Sequence, residues 1–73
     1  MKLEYGKQYV TRNGITTPPL AKTDHVNYKF EAWIQEPEYP EGDLSCEAWL
    51  DGGWSLMPNY EHRLDLIEEY ELK

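Results

Sequence analysis

The chain has 73 residues, one cysteine (Cys46), and 14 Asp plus Glu against seven Lys plus Arg, for a formal net charge of -7. A chain this short forms one small domain, read here as residues 1–73, and buries only about 60% of the surface its unfolded form exposes. A single cysteine excludes an internal disulfide, no stretch approaches the roughly 20 apolar residues that span a bilayer, and the acidic balance disfavours direct nucleic-acid binding, which needs a basic footprint. Met1 to Gly6 shows no apolar signal segment, so a cytoplasmic location is expected. The 14% aromatic content argues for a folded chain rather than an acidic disordered tail.

In chain order, Gln8–Arg12 and Ile15–Thr17 flank Asn13-Gly14, the dipeptide favoured in two-residue type I′ hairpins. That turn predicts Arg12 opposite Ile15, Val10 opposite Thr17, and positive φ at both Asn13 and Gly14. Pro18-Pro19 ends the ladder, because neither residue donates a backbone hydrogen bond. From Val26 to Ile34 the chain alternates with period two, Val26, Tyr28, Phe30, Ala32 and Ile34 on one face and Asn27, Lys29, Glu31 and Trp33 on the other, the pattern of a half-buried strand. Glu36 to Asp43 is a proline-broken acidic loop.

Leu44 to Leu50 alternates again, which predicts a core row of Leu44, Cys46, Ala48 and Leu50, with Ser45, Glu47 and Trp49 on the other face. Asp51-Gly52-Gly53 turns the chain, Trp54–Met57 is expected to return antiparallel, and Pro58 stops it. Near the C-terminus, Asp65 followed by Glu68 resembles a helix start, with Leu64 and Ile67 on one face, so a short helical turn is expected, then an edge strand at Tyr70–Leu72. The predicted fold class is mainly β: a small antiparallel meander of about five strands, rolled into a curved sheet or open barrel.

An even-length loop after Trp49 would set Trp49 and Trp54 on one face of the ribbon, and Trp33 lies opposite the plainest apolar row of its own strand. Two readings follow. Leu64, Leu66 and Ile67 cover the indoles as a second core layer, or Trp33, Trp49, Trp54 and Tyr9 form an aromatic binding surface with Arg12 or Lys29 at its edge. Tryptophan, tyrosine and arginine dominate binding hot spots, and indoles also stack on nucleobases. Glu36, Glu38, Glu41 and Asp43 are either a solvated loop or a second contact surface for a basic partner. Catalytic and metal sites are not predicted: His25, His62 and Cys46 are scattered, Cys46 falls in the expected core row, and no nucleophile elbow, phosphate-cradling glycine loop or calcium loop is present. No cofactor is expected.

The succession Gly6-Lys7-Gln8-Tyr9-Val10-Thr11-Arg12-Asn13-Gly14, Pro19-Leu20, Tyr28-x-Phe30, a Trp-Gly turn region and His62-Arg63-Leu64-Asp65-Leu66-Ile67 resembles small accessory proteins encoded by bacteriophages. The resemblance implies a compact β-rich fold, expression in the bacterial host cytoplasm, and a counter-defence class of role, with no binding residue carried over to a numbered position. The leading expectation is therefore a non-enzymatic protein that inhibits a host defence by stoichiometric binding to a host protein. One alternative is sequestration of a nucleotide-like immune signal between aromatic residues, with Arg12 pairing a phosphate. Another is a small structural or assembly protein, homo-oligomeric through an edge strand.

Overall fold

The computed structural model describes residues 2–71, which contain five strands and no helix: β1 (Tyr9–Thr11), β2 (Ala21–Lys22), β3 (Phe30–Ile34), β4 (Ser45–Trp49) and β5 (Leu66–Glu69). All pairings are antiparallel and fall into two sheets, β1-β5 and β2-β3-β4, without closing into a barrel. The mainly β fold class holds, but the order is not a simple meander, because β1 pairs with the last strand of the chain through Tyr9↔Glu69, Val10↔Glu68 and Thr11↔Leu66.

The first hairpin forms with a loop one residue longer than expected. Thr11 N donates to Ile15 O (2.8 Å) and Gly14 N to Thr11 O (2.9 Å), so Thr11 faces Ile15, while Val10 bridges Thr16 and Thr17 N donates to Tyr9 O. Gly14 has φ 90°, but Asn13 is not at positive φ; Asn59 is the one non-glycine residue that is, among those described. This is a three-residue loop with glycine in the left-handed position. The cause is tertiary: Arg12 N donates to Asp65 O (2.8 Å) and Asn13 N to Arg63 O (2.9 Å), so the amides at the tip are held by the C-terminal segment. The Thr11 hydroxyl reinforces the loop by accepting from Ile15 N and donating to Asn13 Oδ1.

The same bond pattern recurs after β4, where Leu50 N donates to Trp54 O (2.8 Å) and Gly53 N to Leu50 O (3.0 Å). An odd loop places Leu50 opposite Trp54, and hence Trp49 opposite Ser55, so Trp49 and Trp54 lie on opposite faces rather than together. Residues 54–57 form no strand; instead Gly53 O accepts from Leu66 N (2.9 Å), joining this turn to the start of β5.

In β3 the expected row is correct over Phe30, Ala32 and Ile34, all buried, but the strand begins only at Phe30 and Val26 is 93% exposed. In β4 the expected faces are inverted. The register Phe30↔Trp49, Ala32↔Glu47 and Ile34↔Ser45 puts Trp49 on the inner face, and Trp33↔Cys46 puts the cysteine on the outer face, where it is exposed. The core comprises Leu3, Tyr9, Leu20, Phe30, Ala32, Ile34, Trp49, Leu64 and Leu66.

The expected C-terminal helical turn does not form. Asp65 N donates to His62 O in one tight turn, and the Asp65 carboxylate accepts backward, from His62 N (2.7 Å) and Ser55 N (2.8 Å), rather than capping the residues that follow. The chain is then free to extend as β5, four residues earlier than the edge strand expected at Tyr70–Leu72. Tyr70 N prolongs the pairing by donating to Gln8 O (2.9 Å), and Leu72 lies outside the described residues.

Candidate binding surface

The buried polar groups are engaged in holding the fold. Asp65, 1% exposed, receives the two backbone amides above and lies 3.3 Å from the Arg12 guanidinium. Glu36, 2% exposed, faces Arg63 at 3.0 Å, and Arg63 also reaches Glu38 at 3.6 Å. Carboxylates removed from water need such partners, since an unpaired buried charge costs several kcal/mol. The indole of Trp49 is wholly buried and donates to Leu64 O (2.7 Å); Tyr9 is equally buried, its hydroxyl accepting from Glu4 N (2.9 Å). Three of the residues expected at a contact surface, Tyr9, Trp49 and Glu36, are therefore interior, and Arg12 is drawn into the Asp65 pair.

The remaining two tryptophans do not meet. Trp54, half-buried, lines a cavity of about 50 Å³ with Arg12, Gly52, Gly53, Asp65 and Leu66, far below the roughly 300 Å³ at which small-molecule pockets begin. Arg12 and Trp54 thus enclose no space for a nucleobase. Trp33 lies on the outer face of β3, 58% exposed, at a groove of about 430 Å³ lined by Pro18, Pro19, Ala21, Trp33 and Leu44, with Glu31 supplying a carboxylate. Leu44 is 54% exposed there, not part of the core. Its outward position follows from the same register that turned Cys46 outward.

The acidic loop adjoins this groove through Leu44. It is folded on Gln35, whose amide accepts from Gly42 N (2.9 Å) and donates to Pro40 O (3.1 Å), with Tyr39 N on Glu36 O and Asp43 N on Pro40 O closing two turns. Glu38, Glu41 and Asp43 are exposed. Among the described residues, Glu31, Glu41 and Asp43 have no cationic side chain within salt-bridge distance.

A second, polar cleft of about 370 Å³ includes Tyr28, Glu36, Glu47, Ser55, His62 and Arg63. Its polar groups largely satisfy one another: the His62 ring Nδ1 accepts from Leu64 N (3.2 Å) and Glu36 faces Arg63. His25 lies elsewhere, its Nδ1 accepting from Asn27 N (3.2 Å), and no group of three or more His, Cys, Asp or Glu among the described residues is arranged to hold a metal ion. Cys46, although exposed, has its thiol pushed up by partial desolvation first, then by donation to Glu31 (3.4 Å) and by the charges of Glu31 and Glu47.

Pro18 and Pro19 as groove residues, Leu44 as a surface residue, and Asp65, Arg63 and Gln35 as organising groups were not singled out by the sequence. A carboxylate set between Leu64 and Leu66 in the chain's most apolar C-terminal stretch was the available signal for Asp65. Among the described residues no helix is long and apolar enough to cross a membrane. No protein-family model, no curated protein and no solved structure matches the chain.

Proposed function

We propose that the protein is a non-enzymatic binding protein that acts stoichiometrically, covering a surface of a partner protein with the Trp33 groove. The observation that carries this reading is the exposure of Trp33 and Leu44 side by side with a diproline, in a chain small enough that such apolar surface would otherwise be expected in the core. An indole projecting from a rigid strand is the side chain most often found at the centre of binding hot spots. The net charge of -7 favours a basic partner surface through long-range steering. The non-enzymatic part of the reading is supported by the engagement of Asp65 and Glu36 with arginines and backbone amides, which leaves neither carboxylate free for proton transfer.

With the resemblance to small phage accessory proteins, the partner class proposed is a bacterial host defence protein in the cytoplasm. The test is cross-linking and mass spectrometry of the tagged chain expressed in bacteria that carry a defence system, alongside Trp33→Ala and Leu44→Ser. Both variants should fold, lose the cross-linked partner and lose protection of an infecting phage. Retention of the same partner by both folded variants would remove the groove from the reading.

A further inference from the structure

The groove borders a strand edge that the fold leaves open. Strand β3 has five residues paired with β4, but on its other edge β2 covers only Phe30 and Glu31, through Lys22↔Phe30 and Ala21↔Glu31. The reason lies at Leu20, whose N–H donates to Lys7 O (3.0 Å) and whose carbonyl accepts from Gly6 N (2.8 Å), so the chain is drawn towards the N-terminal segment and away from β3. Continuing the register of β2 by two residues sets Pro19 opposite Trp33, and proline has no N–H to offer. Thr23 N donates to Lys29 O across this same edge (3.5 Å). The Lys29 N–H donates instead to Trp49 O on the β4 edge (3.1 Å), so only its carbonyl faces β2. Within β3, where Phe30 pairs with Trp49, backbone groups alternate between edges, and Glu31 and Trp33 turn theirs towards β2. Among the described residues no backbone hydrogen bond reaches Trp33 on that edge.

From this geometry we infer that the groove takes an extended, basic segment of a partner protein, added as a short strand along β3 at Trp33. This rests on the binding reading above and specifies its ligand. Strand addition supplies affinity through main-chain bonds and specificity through alternate side chains. On the outer face, one apolar side chain of the segment packs against Trp33 and Leu44. Ala21 holds the place beside Glu31, so the segment pairs with β3 only from Trp33 onward. Its flanking basic side chains, two positions to either side on the same face, extend towards Glu31, which lines the groove, at one end. At the other they extend towards the loop bearing Glu41 and Asp43, which adjoins the groove through Leu44. These carboxylates have no cation within salt-bridge distance among the described residues. The recognised pattern is therefore Lys or Arg, any residue, an apolar residue, any residue, Lys or Arg. A second copy of this chain is disfavoured as occupant by the charge of -7 on each molecule.

The probe is a heptapeptide blocked at both ends, with isoleucine at its centre, lysine two positions to each side and alanine elsewhere, titrated into the 15N-labelled full chain. The Trp33 amide should shift and gain protection from hydrogen exchange. N-methylation of the peptide amides that face β3, or replacement of both lysines by glutamate, should each weaken binding by about tenfold or more. Glu31→Gln should weaken it several-fold at low salt and much less at high salt. Equal binding of the N-methylated peptide, with the Trp33 indole shifted and its amide unchanged, would overturn strand addition and leave the groove as a docking surface. Absence of any Trp33 shift at millimolar peptide would overturn the basic-segment assignment, while the binding reading itself is decided by the cross-linking test. Concentration-dependent Trp33 amide shifts without peptide would assign the edge to a second copy and overturn the inference.

Discussion

Truncating the tryptophans one at a time separates interior from surface. Trp49 is fully buried and its indole N–H is held by Leu64 O. Removing a buried aromatic side chain costs about 3–5 kcal/mol, and orphaning the Leu64 carbonyl adds about 1–3 kcal/mol. A 73-residue domain has about 4–11 kcal/mol in total, so Trp49→Ala removes from about a third to all of the stability. Trp49→Phe, which keeps most of the apolar volume but loses the hydrogen bond, should fall between that variant and the native chain. Trp33, 58% exposed, should change stability by no more than about 0.5 kcal/mol on truncation while weakening partner binding by about 2 kcal/mol or more. Urea unfolding followed by far-ultraviolet circular dichroism measures the first quantity without relying on the indole fluorescence being removed. Loss of stability in Trp33→Ala comparable to that in Trp49→Ala would refute the assignment of Trp33 to the surface.

Gly14 and Gly53 occupy equivalent places in two similarly bonded turns, with φ 90° and 94°. Gly14→Ala meets open space and should cost about 1–2 kcal/mol from backbone strain alone. Gly53→Ala would set its Cβ 2.7 Å from Leu66 O and should cost about 1–3 kcal/mol beyond that; equal denaturation midpoints would refute the difference. Asp65→Ala should cost about 3–5 kcal/mol, because it strips partners from buried groups. Arg12→Ala should cost clearly less than Asp65→Ala, because the guanidinium is 38% exposed and the buried Asp65 carboxylate keeps its two amide donors, and the same melts decide between them. Since the thiolate is the reactive form and the Cys46 thiol is pushed up, iodoacetamide should modify Cys46 more slowly at mildly alkaline pH than an unstructured cysteine, and Glu31→Gln should speed the reaction. A slower or unchanged rate in that variant would remove Glu31 as a cause.

Period-two alternation located β3 and β4, and it identified Phe30, Ala32 and Ile34 as inward and Trp33 as outward. It did not fix the faces of β4, because the preference for one face over another there was weak: Leu44, Cys46 and Ala48 outrank Ser45 and Glu47 in hydrophobicity, but Trp49 alone outweighs them in buried volume once Phe30 lies opposite. Each turn differed from expectation by one residue, and a one-residue change in loop length inverts what stands opposite what. In the first turn that difference is set by the amides of Arg12 and Asn13 bonding to Asp65 and Arg63, some 50 positions away in the chain. No local propensity carries such information, and the same holds for the β1-β5 pairing. The groove was half legible: the outward Trp33 could be read, whereas Pro18-Pro19 was read only as the end of a ladder, not as one side of a surface.

The segment from His62 to Leu66 also explains why a surface indole is tolerated at all. Within five residues it supplies the acceptor for the Trp49 indole, the carboxylate that holds Ser55 and His62, the carbonyls that hold the hairpin tip, the amide that closes on Gly53, and the arginine that neutralises Glu36. These contacts gather both sheets around the inner face of β3 and β4, where Phe30, Ala32, Ile34 and Trp49 complete the core. None of them involves the outer face bearing Glu31, Trp33, Leu44 and Cys46. On the proposed reading, stability and recognition are carried by opposite faces of the same two strands. Substitutions on the outer face should then alter the proposed binding without weakening the core, provided that they leave the Phe30↔Trp49 register intact.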